Sequence, residues 1–549
     1  MDYEALAELI FPNIDKTPDY YDKLYPKRNL PEGAMVTRFA PSPTGFVHMG
    51  SLFSSFVDVM FARQTNGIFI LRIEDTDQKR EVENGTELII KDLVDYNYQI
   101  DEGPTFGGDY GSYIQSERED VYKAYVKDLI KKGLAYPCFT TEEELSTLRK
   151  FQEANKLRLG YYGEYAKYRN ATLEEVKGEL EKGTPFVIRL KSQGNYENRV
   201  SINDLIKGEI SFPENDMDLV ILKQDGLPTY HLAHIIDDYL MRITHIVRGD
   251  EWVSSVPVHI ELNKVLGFIH PHYCQLAPIN KNDNGSVRKL SKRKDPEAAV
   301  SYYREIGVPN DVVKLYLATI FNSNFEEWYM ANPDKTIFDF EFSFNKMAVG
   351  GSLFDLEKLM NISKIYFSRK KAIEIYDETL KYCEIYDTDF AKVLKENKDY
   401  SVSILNIERE VARPRKDIAA YSDVKKEIAY MYDEYFYNDN TYKNIEMKDY
   451  YDPDMIIDYV NNYYDDSLDQ NTWFDGLKDI AEKYGYAREM KDYKQNPDNY
   501  KGNVANIAEA LRVMVAGRLN TPNLYDILNL LGKENIIKRI NYFKEKTSL

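Results

Sequence analysis

The sequence predicts an α/β fold: a doubly wound parallel sheet, interrupted by an inserted α+β domain and followed by an all-α C-terminal half. Three observations predict it. Residues 35–61 read as strand, tight turn and helix, and residues 67–74 as a second, fully buried strand. Residues 361–549 hold no histidine and no strand-like alternation. Buried parallel strands read as continuous apolar runs, and strand–helix–strand units wind right-handedly. At 549 residues the chain exceeds what one core organises, so several domains are expected.

Composition narrows the class. A hydrophobic fraction of 43% suits a globular protein. No apolar run approaches the roughly 18 residues a membrane span needs, so no membrane partner is expected. The first 34 residues are acidic and contain Pro31, so no secretory leader is expected. Cys138, Cys274 and Cys383 are widely separated, which suits a reducing, cytoplasmic location without a disulfide framework. The net charge is −19, whereas gripping nucleic acid takes a basic face. Either nucleic acid is not the partner, or it meets local patches. Two candidates are Arg288 to Lys294, and Arg409, Arg413, Arg415 and Lys416.

Residues 1–34 read as an N-terminal extension: an amphipathic helix over Asp2 to Ile10, then a linker with Tyr and Pro. Residues 35–115 open the α/β domain. Met35 to Ala40 is a short apolar run carrying one cation, Arg38, and Pro41, Pro43 and Gly45 punctuate a turn. From Met49 the apolar positions 49, 52, 53, 56, 57, 60 and 61 follow helical spacing, so His48 stands at the mouth of a helix. The small Gly50 and Ser51 let a ligand approach the backbone, and a helix N-terminus suits a phosphate. The strand Gly67 to Glu74 ends in Glu74-Asp75-Thr76-Asp77. Doubly wound sheets bind ligands outside the carboxyl ends of their strands, where His48 and Glu74 both fall. An acidic group there can hold an amine or a ribose, whereas Asp75 and Asp77 suit helix capping equally well.

Residues 116–214 read as the inserted domain. Its elements are a helix over Arg118 to Gly133, a helix opened by Thr140, Thr141 and Glu142 to Glu144, and strands at Phe186 to Leu190 and Gly208 to Phe212. Cys138 and Thr140 fall where a Cys-x-Cys pair would begin a zinc site, but one Cys and no nearby His cannot supply tetrahedral ligation. Residues 215–285 resume the α/β pattern. Leu219 to Leu222 is a buried strand, a turn at Gly226 to Tyr230 leads into His231–Asp238, and Ile243 to Val247 delivers Arg248 to the strand edge as Arg38 is delivered. Two arginines in one cleft bind a carboxylate or phosphate in bidentate fashion; structural salt bridges explain the spacing as well. His270, His272 and Cys274 alternate, but Pro271 interrupts them and no fourth ligand is evident, so no metal site is expected.

Residues 286–360 begin with a basic loop, Arg288 to Lys294, reached through the loop formers Asn280 to Gly285. It suits a solvated charge run, a nucleic-acid patch, or a lid closing cations over a triphosphate. From Asp311 the pattern is helical, with a break at Lys346 to Gly351 and helix again over Leu353 to Ile362. Residues 361–549 close with helices at Gly502 to Leu519, Asn523 to Leu531 and Glu534 to Phe543.

Two motifs now stand together. His48-Met-Gly-Ser51 resembles the "HIGH" element of class I aminoacyl-tRNA synthetases, and Lys289-Leu-Ser-Lys-Arg293 their "KMSKS" element. Thr37-Arg-Phe-Ala-Pro-Ser-Pro-Thr-Gly45, Arg72-Ile-Glu-Asp-Thr-Asp77, His245-Ile-Val-Arg-Gly-Asp-Glu251 and Leu511-Arg-Val-Met-Val-Ala-Gly517 resemble bacterial-type glutamyl-tRNA synthetases, over nearly the whole chain. The resemblance implies a Rossmann-like catalytic domain in two halves (35–115 and 215–285), an acceptor-end-binding insertion (116–214), a KMSKS-type loop with a stem-contact region (286–360) and a helical anticodon-binding region (361–549). It implies ATP-dependent activation of L-glutamate and transfer to tRNA(Glu), in the cytoplasm, by a monomer, with tRNA(Gln) left open as a second acceptor. ATP is the nucleotide substrate, Mg2+ accompanies it, and no zinc is expected.

By the same resemblance, Arg38 and Arg248 hold the glutamate carboxylates and Glu74 meets the amino group. Tyr230, Ser42 and His234 line that pocket, His234 standing where the family often has Asn. His48, Gly50, Ser51 and Ser291 face the nucleotide, Ser51 replacing the last His of "HIGH". Lys292, assisted by Lys289, closes over the phosphates, so His48, Lys289 and Lys292 form the catalytic set. Glutaminyl-tRNA synthetase, a short paralogue that glutamylates a modified tRNA base, and a non-catalytic tRNA-binding protein are the rivals. A cation at Arg248 favours glutamate, because a neutral amide leaves it unpaired.

Overall fold

The computed structural model describes residues 2–291 and 293–547, in two compact units: Met1–Tyr302 with Val313–Asp355, and Tyr303–Val312 with Leu356–Leu549.

The first unit opens with α1 (Tyr3–Ile10) and α2 (Pro18–Leu24). The second helix falls in the expected linker; Thr17 stands at its N-cap and Pro18 in its first turn, where the missing N–H costs nothing. Next come β1 (Val36–Phe39), α3 (Met49–Gln64) and β2 (Ile68–Leu71). β1 and β2 are parallel, with Val36 opposite Ile68 and Phe39 opposite Leu71. Their approach depends on Gly67, where a Cβ would fall 1.8 Å from the Met35 carbonyl oxygen.

α4 (Gly85–Asp95) and α5 (Glu119–Lys131) follow. The ammonium of Lys127 on α5 donates to Glu8, to the Phe11 carbonyl and to the Ile14 carbonyl, which fixes the N-terminal extension. Then come β3 (Ala135–Cys138), α6 (Glu142–Ala154), α7 (Leu173–Glu181), β4 (Val187–Leu190), β5 (Arg199–Asp204), β6 (Gly208–Pro213) and β7 (Val220–Leu222). Thr141 and Glu144 form the capping box of α6. β5 and β6 pair antiparallel, and β3, β4 and β7 form an antiparallel sheet. β7 is the strand read as the resumption of the α/β pattern, yet it completes this antiparallel sheet. A short apolar run reports burial and does not name its partner.

The parallel architecture returns with α8 (Tyr230–Leu240), β8 (His245–Gly249), α9 (Val256–Leu266) and β9 (His272–Leu276). β8 and β9 are parallel. β8 lies beside β1, where the Thr244 N–H donates to the Val36 carbonyl at 3.0 Å. The spatial order is therefore β2, β1, β8, β9. The connection through α3 leaves β1 in one direction and that through α9 leaves β8 in the other. The carboxyl ends of β1 and β8 thus flank a topological switch point, where such sheets bind ligands.

β10 (Ile279–Asp283) and β11 (Ser286–Lys289) form an antiparallel hairpin across the stretch expected to be loop. Asn284 and Gly285 have φ of 53° and 90°, so only these two residues turn. Asn-Gly is the favoured pair for such a turn.

In the second unit every regular element among the described residues is helical, from Leu356–Ser368 to Leu524–Thr547. The core includes Phe390, Ile456, Leu511 and Ile527, with buried Tyr442, Tyr451, Tyr459 and Tyr464 from residues 440–469, which are heavy in Tyr, Asp and Asn. Gly532, at φ 73° and ψ 153°, splits the last helix into two, as the sequence pattern predicts.

Candidate active site

The switch point opens into a cavity of about 800 Å³. Arg38, Ser42, His48, Gly50, Ser51, Glu74, Tyr230, Arg248 and Lys289 all line it. These residues come from β1, the turn after it, α3, the end of β2, α8, β8 and β11. Two sequence-predicted residues stand elsewhere. Ser291 does not line the cavity; its N–H donates to Asp295 Oδ2 at 2.9 Å. His234 is fully buried behind Tyr230, with ring centroids 4.7 Å apart. Lys292 lies outside the described residues.

At the mouth of α3, His48 is the N-cap, and its Nδ1 accepts the Ser51 N–H at 3.1 Å. That role places the proton of the neutral ring on Nε2. Ser51 therefore contributes through its backbone. A Cβ on Gly50 would meet the His48 ring at 3.0 Å, so glycine keeps the imidazole and the helix end together.

Charge below the cavity is tightly paired. Asp238 Oδ1 accepts from Arg38 Nε at 3.1 Å and from Arg72 Nη1 at 2.7 Å, and Arg72 Nη2 donates to Glu74 Oε1 at 2.9 Å. Burial works against the Asp238 charge, but Arg38 and Arg72 overcome it and hold the carboxyl well below the usual range. For Glu74 burial wins over Arg72 and Arg38, and its pKa is raised. The structural-salt-bridge reading thus holds for Arg38, which also lines the cavity.

Arg248 is different. It is 5% exposed, and its Nη2 lies 3.3 Å from His259 Nδ1. Its guanidinium carbon stands 5.2 Å from the Tyr273 ring centroid. Nε and Nη1 are buried without a hydrogen-bond partner. A desolvated guanidinium with unmet donors favours an anionic oxygen strongly. Above it the Tyr230 ring is held between His234 and Trp252, the latter at 4.3 Å.

The hairpin brings Lys289 to the cavity wall, 3.5 Å from Glu251. Arg288, counted in the basic run, is occupied by Asp283 and by both oxygens of the buried Asp295. Elsewhere, Cys138 Sγ stands 3.4 Å from both the Thr140 and Tyr161 hydroxyls, a donor set that does not suit zinc. Among the described residues no three His, Cys, Asp or Glu are grouped to hold a metal, His272 and Cys274 included.

The family description "tRNA synthetases class I (E and Q), catalytic domain" matches residues 34–360, and "Anticodon binding domain" matches 389–544. The chain is 48% identical to a glutamate–tRNA ligase of Clostridium perfringens, over 98% of this chain and all of that one. It is 47% identical to that of Acetivibrio thermocellus, over 98% of this chain and 99% of that one. The chain belongs to the glutamate–tRNA ligase family of class I aminoacyl-tRNA synthetases. Among solved structures, a glutamate–tRNA ligase from Elizabethkingia meningosepticum in complex with its amino acid is 28% identical, with a TM-score of 0.74 over 92% of this chain and 98% of that one.

Against this ligase frame, sequence reasoning missed Arg72, Asp238, Trp252 and His259. A signal existed for the first two: Arg72 is a charge inside an apolar strand, and Asp238 follows His234 by one helical turn. Nothing local marks His259.

Proposed function

We propose that the protein activates L-glutamate with ATP, forming glutamyl-adenylate, and transfers the glutamyl group to the 3′-terminal adenosine of tRNA(Glu). The observation that carries this reading is Arg248, buried in the cavity wall with two nitrogens unpartnered. Arg248 receives the side-chain carboxylate, Arg38 the α-carboxylate and Glu74 the amino group. Tyr230 and Ser42 shape that pocket, and His234 supports Tyr230 from behind. His48, with the Gly50 and Ser51 backbone, meets the ATP phosphates at the helix mouth. Lys289 and Lys292 neutralise the departing pyrophosphate, and Ser291 holds the loop against Asp295.

In the first step a glutamate α-carboxylate oxygen bonds to the α-phosphorus and the bond to the bridging oxygen breaks, releasing pyrophosphate. In the second, the adenosine 2′-hydroxyl oxygen bonds to the acyl carbon, the bond from that carbon to the phosphate oxygen breaks, and AMP leaves with the hydroxyl proton on its phosphate. Pre-positioned cations stabilise the phosphoryl charge without acid–base chemistry from the chain. Mg2+ enters with the phosphates of ATP, as that ion commonly does. Residues 116–214 serve the acceptor end, 286–360 the stem and 361–549 the anticodon of tRNA. The working form is a cytoplasmic monomer, and tRNA(Gln) is a second acceptor to be assayed.

The test is ATP–pyrophosphate exchange with glutamate or glutamine, with and without tRNA. Exchange with glutamate in the presence of tRNA is expected. Preference for glutamine would transfer the reading to the amide-specific rival, and no exchange with either would remove it.

A further inference from the structure

We propose that His259 and His234 form a one-directional hydrogen-bond relay that positions the Arg248 guanidinium for the side-chain carboxylate of glutamate, an inference that rests on the assignment of Arg248 above. The relay crosses three elements, β8, α9 and α8. Arg248 Nη2 lies 3.3 Å from His259 Nδ1, His259 Nε2 lies 3.1 Å from His234 Nε2, and His234 Nδ1 lies 3.3 Å from Asp238 Oδ2. The other oxygen of Asp238 accepts from Arg38 on β1.

The ends of this chain have no freedom. A guanidinium only donates and an ionised carboxylate only accepts. His259 Nδ1 must therefore accept from Arg248, which leaves the proton of the neutral ring on Nε2. His234 Nδ1 must donate to Asp238, which leaves its Nε2 to accept. The middle contact then runs from His259 to His234, and every donor meets an acceptor. A second contact of His259 Nε2, to His231 Nδ1 at 3.1 Å, can share the same proton.

Both relay rings are fully buried. Burial, with Arg248 adding repulsion, holds His234 at about 3 and His259 well below its ordinary value, so neutral rings prevail at neutral pH. A further proton would set donor against donor and bury a second cation beside Arg248. The relay commits Nη2 and fixes the guanidinium plane, while Nε and Nη1 keep no partner. It also ties Arg248 and Arg38 to one carboxylate, Asp238, so the two proposed carboxylate holders are set by a common frame.

The experiment compares His259→Leu, His259→Gln and Arg248→Gln by steady-state pyrophosphate exchange. Leucine fills the space and removes both relay bonds together with the His231 contact. Glutamine can accept from Arg248 through its carbonyl and donate to His234 through its amide. The relay predicts that His259→Leu raises the KM for glutamate about tenfold or more with the KM for ATP unchanged, and that His259→Gln stays within about threefold of the parent. A leucine variant equal to the parent, or a glutamine variant worse than leucine, would overturn it in favour of packing alone. Should the leucine variant fail to fold, imidazole 15N shifts of the parent chain decide. They are expected to show His259 protonated on Nε2 and His234 on Nδ1 at pH 7; the opposite tautomers, or cationic rings, would overturn the relay. Arg248→Gln separates the two levels. If it leaves the glutamate KM unchanged, the functional assignment fails; if it raises the KM while His259→Leu does not, only the relay fails.

Discussion

At the residue scale the decisive feature is an imbalance between two buried arginines. Arg38 has its carboxylate in Asp238, whereas Arg248 has a histidine and two unmet donors. Arg248→Gln is therefore expected to raise the KM for glutamate by about ten- to a hundredfold and to narrow the preference over glutamine, checked by exchange kinetics with both amino acids. A second prediction concerns Asp58 on α3, which is fully buried with neither oxygen partnered. Burial, only partly opposed by Arg38, raises its pKa well above the usual value. The folded chain thus keeps a proton that the unfolded chain releases, and stability from this group falls as pH rises above the unfolded pKa of about 3.9. Asp58→Asn should therefore gain thermal stability over the parent at pH 8 relative to pH 4; a difference constant across that range would contradict this. The candidate site was legible where a residue ends a strand or opens a helix, as with Arg38, His48, Glu74 and Arg248. It was illegible where the partner is remote: Arg38 and Asp238 are 200 positions apart, and Arg72 and Asp238 are 166 apart.

At the element scale the strand–turn–helix unit and the closing helices were readable because hydrophobic period and punctuation agree there. β7 was placed by its apolar run but not by its partner, and β10 was hidden by polar residues whose hydrogen bonds to β11 override their loop preference. Pairing energy is non-local, so composition underdetermines it. The β1–β2 contact yields a test. Gly67→Ala would drive a Cβ into the Met35 carbonyl and is expected to cost about 3 kcal/mol in urea unfolding. Gly183→Ala meets nothing within 4 Å and carries only the strain of a φ of 71°, about 1 kcal/mol. Equal losses would dismiss the clash.

At the scale of the whole molecule, the net charge of −19 coexists with a family that binds tRNA, so the basic residues that meet tRNA must be gathered in local patches. Fewer are available than the sequence implies. Arg288 is committed to Asp283 and Asp295, and Arg409 is buried, donating to the Leu405 and Phe367 carbonyls. Arg413 and Lys416 remain exposed. The two units have separate hydrophobic cores, one built from residues such as Leu6, Ile70 and Ile246 and the other from Phe390, Leu511 and Ile540. Unfolding is therefore expected in two steps, which residue-resolved hydrogen exchange in denaturant would separate; one coincident transition for both cores would contradict it. The tilted contact of the Trp252 ring with Tyr230 in the cavity wall has a practical consequence. The chain carries its own optical reporter: with Trp328 and Trp473 replaced by Phe, the remaining indole emission would follow the filling of the amino-acid pocket without any added label.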